Sequence, residues 1–119
     1  MGTILGYSYC QELDSQEFMR HAERVSSLEQ NFNKLLAGRL DLVVEVDSVG
    51  LYTANKMGIA DKVSIIPDAK YCQGGNYLAF SKKANYENLT LEFNNALEDF
   101  KTTNEYHAIL KHYGITNRL

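Results

Sequence analysis

Apolar positions recur along this chain with two periods, and the changes between them mark out its elements. Short apolar or alternating runs at residues 3–8, 23–25, 40–46, 63–66 and 77–81 predict strands. Amphipathic helical patterns fill the gaps between the first four. In the clearest, Leu28, Phe32, Leu35 and Leu36 fall on one face, Ser26-x-x-Glu29 reads as a capping box, and Gly38 stops the helix. A helix over residues 14–22 would start at Asp14 or Ser15 and bury Phe18 and Met19. Another, capped by Asp47 or Ser48, would end at Gly58.

Strand and helix therefore alternate over the first part of the chain. The run LDLVVEV is nearly all apolar and β-branched, as expected of a parallel strand covered on both faces. The expected fold is α/β, a three-layer lobe with a mainly parallel sheet and flanking helices. After residues 77–81 the pattern changes, and two helices follow with no strand between them. Leu89, Phe93, Ala96, Leu97 and Phe100 line one face of the first, and Tyr106, Ile109, Leu110 and Tyr113 line one face of the second, which Asn104 and Gly114 bracket. No internal repeat and no low-complexity tract interrupts this order.

Composition narrows the functional classes. A chain of 119 residues with one proline, 45% hydrophobic and 23% charged, fits one globular domain able to bury a core. The net charge of −3 offers no basic footprint for nucleic acid or for acidic lipid surfaces. No apolar run approaches a membrane span, and the start lacks the pattern of a signal peptide, so the chain reads as soluble and already processed or truncated. Cys10 and Cys72 are too far apart in sequence for a CxxC redox or zinc pair. Two buried free thiols are the expectation, and a single bridge would require an oxidising compartment.

The stretch GYSYC after the first strand carries the best candidate chemistry. In open α/β sheets ligands sit beyond the carboxyl ends of the strands, where loops enter helix N-termini. Gly6 lets the backbone turn tightly, free N–H groups of the following helix favour an anion, and Ser8 adds a hydroxyl donor. Tyr7 and Tyr9 supply flat walls or phenolic hydrogen bonds. A plain strand-to-helix turn with surface tyrosines fits the same residues.

Catalytic readings fare worse. Gly6-Tyr7-Ser8-Tyr9-Cys10 fails as a nucleophile elbow because Cys10 stands where the second glycine must be. His21, His107 and His112 sit in helical patterns, with no orienting group to make Cys10 a nucleophile. His107 and His112 point to different faces and lack a neighbouring cysteine, so neither metal nor any other cofactor is expected. No phosphate-binding glycine fingerprint is present. Gly74-Gly75 reads as a hinge or a turn, and Asn88-Leu89-Thr90 fits a glycosylation acceptor.

Taken in order, the strand-to-turn start, VSSLEQNFNKLLAGRLDLVVEV, VSIIPD, NYLAFSKK and LEFNNALEDFKTTNEYHAILKHYG resemble the second half of the type II extracytoplasmic solute-binding proteins of amino-acid-type ABC importers. The most specific part is LLAGRLDLVVE, with Gly38, Arg39 and Asp41, joined at the right distance to YLAFSK. The resemblance implies a periplasmic-binding-protein type II-like lobe over residues 1–72. Residues 73–119 would form a crossing strand and two helices that return to the first lobe.

It further implies a non-catalytic, periplasmic module that binds an amino acid or similar small polar solute and docks on the importer's membrane subunits. By the same resemblance, Ser8 and Tyr9 occupy ligand-contacting positions, with Gly6 and Tyr7 beside them. An acid at the end of the 40–46 strand would receive the ligand's ammonium. Here the sequence departs from the pattern: Val46 stands at the acid's place, so Asp47, or Glu45 after a bulge, would serve, while Asp47 also suits a helix cap. The same module serves as the sensor region of signalling receptors, and related folds include enzymes acting on amino-acid-like substrates. The first lobe is missing, so the two terminal helices lack their familiar partner, which predicts a homodimer or a domain swap.

Overall fold

Strand β1 (Gly2–Ile4) is buried along its whole length and pairs in parallel with β2 (Glu23–Val25), Gly2 opposite Glu23 and Ile4 opposite Val25. The Glu23 N–H donates to the Met1 carbonyl at 3.0 Å and the Leu5 N–H to the Val25 carbonyl at 2.8 Å, the slanted ladder of a parallel pair. On the other side of β1, Gly2 makes an isolated parallel bridge to Val43. There the Gly2 N–H donates to the Leu42 carbonyl and the Val44 N–H to the Gly2 carbonyl, both at 2.9 Å. β1 therefore lies centrally, with β2 on one side and residues 42–44 on the other.

This computed structural model describes residues 1–66, 72, 77–83 and 85–115. The chain divides into two compact units, Met1–Gln73 and Gly74–Leu119. Among the described residues the fold is mixed α/β, with a small two-strand parallel sheet and five α-helices.

In the first unit, α1 (Gln11–Asp14) and a 3₁₀ turn (Glu17–His21) stand where the sequence predicts one helix over residues 14–22. The reason is local: Asp14, expected to open that helix, closes α1 with its carboxylate turned back onto the preceding loop, and the Ser15 and Gln16 side chains bond the Glu12 carbonyl. Helix α2 spans Leu28–Leu36 and α3 spans Asp47–Lys56. The capping box is shifted by one residue from its expected place. Ser27 is the cap, its Oγ accepting from the Gln30 N–H at 3.3 Å, while Gln30 Oε1 accepts from the Ser26 N–H. At the other end Gly38 takes a left-handed φ of 67°, and its N–H and that of Arg39 reach back to Leu35 and Lys34.

The core of this unit gathers Ile4, Leu28, Phe32, Ala54 and Ile59, with Leu35, Val43, Met57 and Val63 packed against it. Fully burying a side chain such as Ile4, Leu28, Phe32 or Ile59 contributes roughly 1.5–3 kcal/mol before conformational entropy is counted. Leu13, Met19 and Leu40 are also buried. Cys10 and Cys72 are joined by a disulfide, which corrects the expectation of two free thiols. The fold brings their Cα atoms to 5.9 Å across a sequence separation of 62, a spacing that a disulfide spans.

Four further expectations on strands are corrected. Gly6, at φ 80°, turns the chain away after Ile4, so β1 stops short of residue 8, and residues 40–46 pair with it only through Val43, the Ile4 N–H, next on that edge, donating instead to the Tyr9 hydroxyl. Residues 63–66 form no strand, Ile65 and Ile66 being exposed. Residues 77–81 form none either, with Tyr77 90% and Leu78 61% accessible. A strand lacking a neighbour has no partner for its backbone groups, whatever its side chains prefer.

In the second unit, α4 (Glu87–Lys101) and α5 (Asn104–His112) form a helical pair. The Thr103 hydroxyl caps α5 by accepting from the Tyr106 N–H at 3.2 Å, so Thr103 and not Asn104 opens it. Phe80 packs beside Tyr86 and Phe93, and Phe100 meets Tyr106 edge-on at 5.7 Å. No helix among the described residues is long and apolar enough to cross a membrane.

Candidate functional site

Parallel strands end on one edge, and the chain leaves β1 between neighbours reached in opposite directions, which is where α/β sheets hold ligands. A recess of about 240 Å³ opens there. Ile4 and Tyr7 line it from the end of β1 and its turn, Ser26, Ser27, Leu28 and Glu29 from the start of α2, and Glu45, Val49 and Thr53 from the segment entering α3 and from α3 itself. Its lining carries two carboxylates and no basic side chain.

Glu45 is the half-buried acid of this recess, and burial pushes its carboxyl above the ordinary carboxylate range. The Val46 N–H opposes that shift by donating to Oε1 at 2.8 Å. Ser27 Oγ satisfies one donor of the first turn of α2, the Gln30 N–H, and the start of the helix adds partial positive charge to its wall of the recess. The N–H groups at the start of α2 thus favour a negative group, opposed by the Glu29 carboxylate on the same wall, while Glu45 favours a positive one.

The turn that the sequence singles out is arranged differently from its expectation. Ser8 Oγ donates to Asp14 Oδ2 at 2.6 Å, and the Tyr9 N–H donates to the same carboxylate at 3.1 Å. The donors of Ser8 and Tyr9 thus already hold an anion, the chain's own Asp14. The Tyr9 hydroxyl accepts from the Ile4 N–H at 3.1 Å, and burial raises its pKa above the usual phenol value. Gly6 lies in the exposed turn with open space where a Cβ would stand. Asp47 is the first residue of α3, with Val46 at the cap position and the Ser48 N–H donating to Oδ1 at 2.8 Å. Of the five residues singled out, Tyr7 is the one that lines the recess.

Ser27, Glu29 and Glu45 are the recess residues that sequence reasoning underweights. Glu45 has a signal, as the acid nearest the end of the 40–46 run, and the α2 start has one in lying after a parallel strand. A larger recess of about 500 Å³ lies in the second unit around Phe80, Lys82, Lys83 and Tyr86. It is open, its lysines are exposed, and no half-buried charge converges on it, so the smaller recess is the better candidate. Among the described residues no group of three or more His, Cys, Asp or Glu side chains could hold a metal ion. No protein-family model matches the sequence, and neither a curated protein nor a solved structure matches the chain.

Proposed function

We propose that the chain is the ligand-binding lobe of a periplasmic solute-binding protein serving ABC-type uptake of an amino acid or similar small polar solute, and that it acts by binding alone. The observation that carries this reading is the recess at the strand ends, where the half-buried Glu45 shares one cavity with the N-terminus of α2. A small zwitterion finds complementary partners there, N–H groups for its carboxylate and Glu45 for its ammonium. A volume near 240 Å³ suits a solute of amino-acid size. The parallel order about β1 supports the finer architecture, a three-layer lobe of periplasmic-binding-protein type II kind. The Cys10–Cys72 bond supports an oxidising compartment such as the periplasm.

The reading extends to self-association. Neither α4 nor α5 buries a residue, and Leu89, Leu91, Ile109 and Tyr113 expose apolar surface of the kind that a second copy would cover. Sedimentation should give a dimer at tens of micromolar, and a monomer at millimolar concentration would overturn that extension. The importer's membrane subunits would be partners of the complete protein.

The experiment for the binding reading is titration of isotope-labelled protein with a panel of free amino acids and small amines. Saturable amide shifts at Tyr7, Leu28, Glu29 and Glu45, lost in Glu45→Gln, are the expected result. Absence of such shifts for the whole panel at millimolar concentration would overturn it.

A further inference from the structure

Two donors at the end of the sheet are held by side chains where the ladder offers backbone partners. The bonds of Gly2 to Leu42 and of Val44 to Gly2 set the parallel register, and two residues further that register pairs the Ile4 N–H with the Val44 carbonyl and the Val46 N–H with the Ile4 carbonyl. Neither bond is made. The Ile4 N–H donates to the Tyr9 hydroxyl at 3.1 Å, and the Val46 N–H donates to Oε1 of the neighbouring Glu45 at 2.8 Å. The Val44 carbonyl accepts no backbone hydrogen bond among the described residues, and the Ile4 carbonyl, which accepts from the Tyr7 N–H at 3.2 Å, keeps a second lone pair. Burial is the main cause of the raised Tyr9 pKa and the Glu45 charge adds to it through space, so the two side chains act near one another.

We propose that Tyr9 and Glu45 form a latch that holds residues 44–46 off β1, and that a cationic ligand in the recess releases it by drawing the Glu45 carboxylate away from the Val46 N–H. The freed N–H then pairs with the Ile4 carbonyl, and the Val44 carbonyl displaces the Tyr9 hydroxyl from the Ile4 N–H. Two bonds to side chains become two bonds between backbones, so the exchange leaves no buried donor unpaired. Side chains alternate along a strand, which puts Glu45 opposite Ile4 on the same face in the paired register. Both residues already line the recess. Pairing therefore keeps Glu45 at the ligand with both oxygens available, while the segment entering α3, which leads to Val49 and Thr53 of the same wall, is drawn toward β1. The β-branched run at 43–46 suits the extended state it would enter. A ligand shifts such an equilibrium only by preferring one state, and an ammonium on Glu45 prefers the paired one. The ligand's part rests on the binding proposed above, whereas the second pairing of the strand does not.

The test uses the full chain, with scalar couplings across hydrogen bonds to report the pairing and hydrogen exchange in α2 to report the fold. The parent should show no coupling from the Ile4 nitrogen to the Val44 carbonyl carbon, nor from the Val46 nitrogen to the Ile4 carbonyl carbon. The double variant Tyr9→Phe with Glu45→Ala, which removes both side-chain acceptors, should show the two couplings and slow exchange at Ile4 and Val46 by about tenfold. Glu45→Gln, whose amide oxygen still accepts, should leave Val46 as in the parent. Neither coupling in the double variant would overturn the latch. Loss of α2 protection there would do the same, because the two side chains would then be ties of the whole unit. The ligand's part is read with n-propylammonium against n-propanol. The cation should bring out the couplings in the parent, and Tyr9→Phe should bind it about threefold tighter. Saturable shifts at Leu28, Glu29 and Glu45 without the couplings would overturn release by a cation. No shift there, with the couplings present in the double variant, would count against the binding reading and leave the strand exchange standing.

Discussion

The side-chain amide of Asn31 reaches from α2 to β1 and donates to the Thr3 carbonyl at 3.0 Å, with Asn31 itself fully buried. Its other atom, Oδ1, is buried without a hydrogen-bond partner. Replacing the amide by a carboxylate removes the donor and places a charge or a strained neutral acid against a carbonyl. Asn31→Asp should therefore cost about 3 kcal/mol or more. Asn31→Leu leaves the Thr3 carbonyl short of a donor but relieves the orphaned Oδ1, and should cost less. Urea unfolding of both variants checks the order, and an Asp variant as stable as the Leu variant would contradict it.

Gly2 lies where no larger residue fits. A Cβ there would stand 2.6 Å from Leu40 Cδ1 and closer still to Asn31 Oδ1, both on buried side chains. Gly2→Ala should destabilise the protein by about 1–3 kcal/mol through overpacking. Gly50, inside α3, has open space around the same built atom. Gly50→Ala should stabilise by about 0.5–1 kcal/mol, because alanine loses less backbone entropy in a helix. Opposite signs for one chemical change separate packing from propensity, and thermal unfolding reads both.

Helices were the legible part of this fold, and their caps explain why. Gly38, Gly58 and Gly114 end helices in the structure as the sequence predicts, each at positive φ, since a left-handed residue after a helix is a local requirement. Strands were legible only as apolar runs. The run at 40–46 contributes one paired residue because the Tyr9 hydroxyl takes the Ile4 N–H, the next donor on that edge of β1, a fact that depends on the turn after β1 and not on residues 40–46. The candidate site was legible in its location, at the end of β1, but not in its membership. Asp14 captures the donors of Ser8 and Tyr9, and a side chain six positions on cannot be known to fold back from its residue type.

The cap of α2 gives a sharp comparison among neighbours. Ser27 Oγ accepts from the Gln30 N–H, whereas Ser26 bonds only the Gln30 side chain. Ser27→Ala should cost about 1 kcal/mol, the usual loss on removing a capping hydroxyl. Ser26→Ala and Glu29→Ala, the pair the sequence pattern favours, should each cost at most about 0.5 kcal/mol. Equal losses at Ser26 and Ser27, measured by chemical unfolding, would place the helix start one residue earlier.

Glu45 links the stability of the first unit to pH. Burial raises its folded-state pKa above the unfolded value, so the folded protein holds the Glu45 proton more tightly than the unfolded chain does. The associated stability is fully present below the unfolded value, about 4.3, and is lost as pH rises through the folded value. Glu45→Gln removes this dependence: the variant should unfold at a higher temperature than the parent near neutral pH and lose that advantage in acid. An ammonium group bound beside Glu45 acts in the opposite direction, since a cation favours the carboxylate and draws its pKa down. Affinity for an amine-bearing ligand should therefore rise with pH across the window in which Glu45 ionises, with a proton released on binding. Calorimetry in buffers of different ionisation enthalpy measures that proton, and its absence, with tight binding retained in Glu45→Gln, would remove Glu45 from the recognition of the ligand.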